Sequence, residues 1–80
     1  MAEKKIEVEV FDHETRTTIV SKKYWKYEEA AENAEKFSQK YNQHTVYLFQ
    51  VNMYGTHVTR KEWKNGVHDA SNDRTWRIGY

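Results

Sequence analysis

Four histidines, at positions 13, 44, 57 and 68, are the side chains best suited to chemistry in this chain. None pair at the i,i+4 spacing that puts two imidazoles on one helix face for a zinc ion. If residues 57–69 fold back as a hairpin, His57, His68 and Asp69 could converge. Histidine also stands beside carboxylate in Asp12-His13-Glu14 and in His68-Asp69. General acid–base catalysis needs such groups held in a cleft near a reacting atom. Both runs fall where turns are expected, and polar residues gather in turns for other reasons. There is no cysteine nucleophile, and no glycine-rich elbow surrounds Ser21, Ser38 or Ser71. The three glycines stand alone at 55, 66 and 79, so no loop can cradle a phosphate. The expectation is a non-enzymatic chain with no catalytic residue, metal or cofactor.

Cations interleaved with aromatic rings are the stronger signal. Arg60, Lys61, Trp63 and Lys64 are followed by Arg74, Arg77 and the rings of Trp76 and Tyr80. Such a mixture can neutralise phosphates and stack on bases. The same residue types make the anchors of protein interfaces. Arg60, Lys61, Trp63, Lys64, Arg74 and Arg77 are therefore the expected partner-binding residues. A second aromatic–basic cluster, Lys22 to Lys26, includes Tyr24 and Trp25, which strand alternation sends to opposite faces. The net charge of +1 conceals an asymmetry. Residues 1–35 hold nine acids and six bases, residues 36–80 three acids and seven bases. A charged partner would be expected to meet the C-terminal half rather than Glu7 and Glu9.

These residues need elements to position them. Tyr27, Ala30, Ala31, Ala34, Phe37, Ser38 and Tyr41 recur at the spacing of one helix face, with Glu28, Glu29, Glu32, Glu35, Lys36 and Lys40 opposite. Acids lie early and lysines late, as the helix dipole favours. No Ser, Thr, Asp or Asn caps the start. Lys5–Phe11 alternates Ile6, Val8 and Val10 against Glu7 and Glu9, which predicts a strand with one buried face. Thr15–Trp25 is the expected return strand. Thr45–Met53 carries Tyr47, Phe49, Val51 and Met53 on one side, taken as the core side, and Val46, Leu48, Gln50 and Asn52 on the other. His57–Lys64 and Thr75–Tyr80 complete the strands, and Asn65-Gly66 signals a hairpin turn.

The order predicts one α+β domain over residues 1–80. It is a two-layer fold with one amphipathic helix on a four- to five-stranded antiparallel sheet, ββαββ or ββαβββ. Seven valines, three isoleucines and twelve aromatics against a single leucine suit a pleated core. One helix covers one face of such a sheet. The other face must be wet, dimerised or used. Val46, Leu48 and Trp25 are the expected contacts there, with a homodimer one way of covering them. No apolar run nears the roughly 20 residues of a membrane span, and no apolar leader follows Met1, so a cytoplasmic location is expected and no membrane partner. In size, lack of cysteine and aromatic–polar composition, the chain is similar to compact accessory proteins of phages and mobile elements. Some of those inhibit host enzymes by stoichiometric binding. That resemblance implies a small protein-binding inhibitor acting through an open sheet face or an edge strand. Nucleic-acid binding through the basic, aromatic C-terminal half is the alternative, and a small enzyme a distant third.

Overall fold

The computed structural model describes residues 4–78. Strands β1 (Ile6–Asp12) and β2 (Thr17–Tyr24) form a hairpin, helix α1 (Tyr27–Lys40) follows, and β3 (Thr45–Val51) and β4 (His57–Lys64) form a second hairpin. A two-residue strand β5 (Val67–His68), one 3-10 turn (Ala70–Asn72) and β6 (Arg74–Arg77) end the described chain. The sheet is antiparallel in the order β2-β1-β3-β4, with β5 and β6 both pairing β4 along different stretches. This is the α+β architecture expected, one helix on one face. The final strand stops at Arg77 rather than running on, and Gly79 and Tyr80 lie outside the described residues.

The helix starts after Lys26 with no side-chain cap, so its first turn relies on Glu28 and Glu29 and on tertiary packing. Its inner face is small. Ala30, Ala34 and Ser38 are all fully buried. Small residues let the helix backbone lie close to the two central strands, where Val8 and Val10 of β1 meet Val46 and Leu48 of β3. Phe37, Tyr27 and Tyr41 close the edges of this core. The Asn65-Gly66 turn has positive φ at both residues, 52° and 78°, as a tight hairpin requires. The helix holds it: the Gly66 amide donates to Ser38 Oγ at 2.8 Å. A Cβ at Gly66 would meet Gln39 Cγ at 2.7 Å.

Strand β3 corrects one expectation. Its buried side is Val46 and Leu48, both 0% exposed beneath the helix. Tyr47, Phe49 and Val51 are only partly covered and face the opposite way, and Met53 lies exposed beyond the strand. Val46 and Leu48 therefore cannot serve as second-face contacts, nor bury themselves in a homodimer. The reason is register. Val8 pairs with Leu48 and Val10 with Val46, so the apolar side of β1 and these two residues share one face. Glu7 and Glu9 pair with Phe49 and Tyr47 on the other. In a strand apolar on both sides, a one-residue slip exchanges the faces, and the composition of β3 alone does not fix the choice.

A mutational contrast follows. Leu48→Ala should cost about 2–5 kcal/mol by cavity formation, whereas Phe49→Ala should cost clearly less. Urea melts of both variants decide it, and equal losses would place the core on the wrong side of β3.

Candidate functional site

Among the described residues, nothing forms a second layer on the face of the sheet away from the helix. Residues paired across strands share a face, so its surface reads as rows. One row is Lys23, Glu7, Phe49, Arg60 and Arg74; the next is Ser21, Glu9, Tyr47 and Glu62. Thr18, Phe11 and Thr45 flank these on one side, and Val51, Val58 and Trp76 on the other. The aromatic rings touch one another: Phe11 to Tyr47 edge-on at 6.2 Å, Tyr47 to Phe49 at 6.1 Å. The result is an apolar strip along β3, broadened by Phe11 at one end and by Trp76, 43% exposed, at the other.

Two shallow hollows indent this face, and Phe49 lines both. One of about 250 Å³ is bounded by Glu9, Phe11, Thr18, Tyr47, Phe49 and Arg60. The other, about 370 Å³, lies among Lys4, Lys5, Glu7, Lys23, Phe49, Val51, Val58 and Trp76. Arg60 places its guanidinium over the Tyr47 ring at 5.2 Å and reaches Glu62 at 3.4 Å. Lys64 also approaches Glu62, at 3.8 Å. Glu62 is thus compensated twice. Glu9 has no ion pair among the described residues, and burial, with the Glu7 carboxylate beside it, raises its pKa above the ordinary 4.5.

The six expected partner-binding residues do not form one patch. Arg60, Lys64 and Arg74 belong to the open face by strand alternation, and Lys61, Trp63 and Arg77 to the other. Lys61 donates to the Tyr27 hydroxyl at 2.7 Å, joining β4 to the helix start. Trp63 is 5% exposed and stacks on His68 at 4.8 Å, so it is a core residue and not an accessible anchor. Its polar strand companions concealed this, because β5 folds His68 back onto the indole. Trp25 is 58% exposed with Lys4 Nζ above its ring at 5.8 Å, while its neighbour Tyr24 is the buried one. Sequence reasoning missed Phe11, Tyr47 and Phe49 as surface residues; their pairing beside Glu7 and Glu9 was the signal available.

The histidine runs resolve into turn structure. Asp12 Oδ1 accepts from the amides of Glu14 and Thr15, which holds its pKa below the usual carboxylate range. His13 Nε2 lies 2.9 Å from Thr45 Oγ1 and 3.4 Å from the Tyr47 hydroxyl. His57 contacts Thr56, while His68 pairs with Asp73 at 2.9 Å, so His57, His68 and Asp69 do not converge. Among the described residues no three His, Asp or Glu side chains are grouped to hold a metal, and no helix is long and apolar enough to cross a membrane. Compared with protein-family models, curated proteins and solved structures, the chain finds no match.

Glu9 supplies a pH prediction. Its folded pKa is raised, so the folded state binds the proton more tightly than the unfolded chain does. Its favourable contribution is present below the unfolded value and is lost as pH rises through the folded one. Glu9→Gln should therefore raise the melting temperature at pH 7. The gain should vanish below about pH 4. Thermal melts across that range check it, and a variant less stable than the parent at pH 7 would contradict the burial argument.

Proposed function

We propose that this chain is a non-enzymatic protein-binding module that acts stoichiometrically through the open face of its sheet. The observation that carries the reading is the strip formed by Phe11, Tyr47, Phe49, Val51, Val58 and Trp76 on a face the helix does not cover. Contiguous apolar surface rimmed by charge is the mark of an interaction site. Aromatic rings with an arginine among them are the residue types that anchor protein interfaces.

An edge strand fits less well. The outer edge at β2 carries Lys22 and Lys23, and its register with β1 breaks between Val10 and Phe11. Lysines and a bulge on an edge discourage strand addition. A phosphate backbone also fits less well, because Glu7, Glu9 and Glu62 share the open face with its rings. The cations that suggested nucleic acid are divided between two faces. A compact domain that blocks a partner's surface, the role implied by the likeness to phage accessory proteins, fits a flat apolar face of this kind.

The test is capture of a partner by the immobilised chain from a native lysate treated with nuclease. Phe49→Asp should weaken capture at least about tenfold while keeping a cooperative melt above the temperature of the assay. Capture abolished by nuclease, or unchanged by Phe49→Asp, overturns the reading.

A further inference from the structure

The hollow beside Glu9 says what the partner presents there. Glu9 lies between Glu7 and Phe11 along β1, beside Ser21 of β2 and Tyr47 of β3. No cation pairs with it among the described residues. Lys23 is the register partner of Glu7, not of Glu9, and forms no ion pair with either. Arg60 lines the same hollow from β4, its guanidinium reaching back over the Tyr47 ring without forming an ion pair with Glu9. It is engaged with Glu62 and with the Tyr47 ring. Three of the residues lining the hollow, Phe11, Tyr47 and Phe49, are aromatic, and ring faces attract cations, guanidinium groups above all. The Arg60–Tyr47 contact is an example within the fold itself.

We propose, resting on the open-face reading, that the partner is a protein segment inserting a basic side chain, arginine by preference, on the Glu9 side of the hollow lined by Glu9, Phe11, Thr18, Tyr47, Phe49 and Arg60. The Glu9 carboxylate supplies the charge and the rings of Phe11 and Phe49 supply the stacking surface, since Arg60 already covers the Tyr47 ring and is neutralised by Glu62. Burial and the neighbouring Glu7 carboxylate raise the Glu9 pKa, and a cation brought from outside supplies the counter-charge the carboxylate lacks. Phe49 also lines the second hollow, so an extended segment crossing the face would set an apolar side chain two residues from the arginine. That spacing is roughly 7 Å.

The probe is the pentapeptide acetyl-Leu-Ser-Arg-Ser-Leu-amide, titrated into the ¹⁵N-labelled full chain. The control peptide carries citrulline, neutral and nearly isosteric, in place of arginine. The arginine peptide should shift the amides of Glu9, Phe11, Tyr47 and Phe49, with a dissociation constant on the order of millimolar. The citrulline peptide should bind at least about tenfold more weakly. Glu9→Gln should lose affinity for the arginine peptide to the same extent. Since that variant is expected to melt above the parent at pH 7, such a loss could not be unfolding. If both peptides shift the open face equally, the basic-side-chain inference fails while the open-face reading stands. If the arginine peptide shifts none of these amides, the inference also fails, and capture by Phe49→Asp decides the open-face reading separately.

Discussion

One helix cannot cover this sheet, and the rest of the molecule follows from that. Five strands side by side span about 19 Å at ordinary spacing, and a helix with its side chains covers about 10–12 Å. Helix α1 is placed over the centre, where the small faces of Ala30 and Ala34 meet Val8, Val10, Val46 and Leu48. Close approach at the centre is what an alanine-rich face provides. Residues farther out must be held by other means. Lys61 reaches the Tyr27 hydroxyl, Ser38 takes the Gly66 amide, and Trp63 is closed off by His68. Each of these contacts extends the single core sideways along one layer. None of them adds anything to the opposite face.

The elements were readable because each carries its own period. The alternation of Ile6, Val8 and Val10 against Glu7 and Glu9, the helical spacing of Ala30 and Ala34, and the Asn65-Gly66 pair are local signals. Each predicts what is seen. The failure came at β3, where the local signal is symmetric. Valine and leucine alternate there with tyrosine and phenylalanine, and both sides look like core. Only the pairing with β1 distinguishes them, and pairing is a long-range property. Volume points the wrong way as well, since burying the larger rings would remove more apolar area from water. A helix lying close through alanines leaves little depth for rings, and the β-branched and leucine side chains fill it instead.

The charge pattern along the chain misleads for a related reason. The acidic first half and basic second half of the chain suggest two poles. An antiparallel sheet interleaves them, because β1 inserts between β2 and β3, and β3 lies against β4. Glu7 and Glu9 from the acidic half therefore share rows with Arg60, Arg74 and Glu62 from the basic half. Strand alternation then divides the remaining cations between faces. A run of charges along a chain becomes a patch only where the fold keeps its members on one side, and Arg60 to Lys64 lie on a strand, which does not.

Glu9 is the residue whose position the fold itself does not require. Charges on an uncovered apolar sheet have a general use, since they discourage indiscriminate association. Glu7 and Lys23 on the same face meet that need. Glu9 differs in its surroundings: it is flanked by the Glu7 carboxylate and by the rings of Phe11 and Tyr47, and its pKa is raised. An ionised carboxylate so placed lowers the stability of a domain whose small size leaves little margin. Residues that break the local rules of a fold without compensation inside it mark the surfaces where something else supplies the compensation. The same logic applies to Phe49, a ring partly exposed at the middle of the sheet. The polar and the apolar anomaly are neighbours, and the proposed partner segment, with a basic side chain beside an apolar one, would answer both.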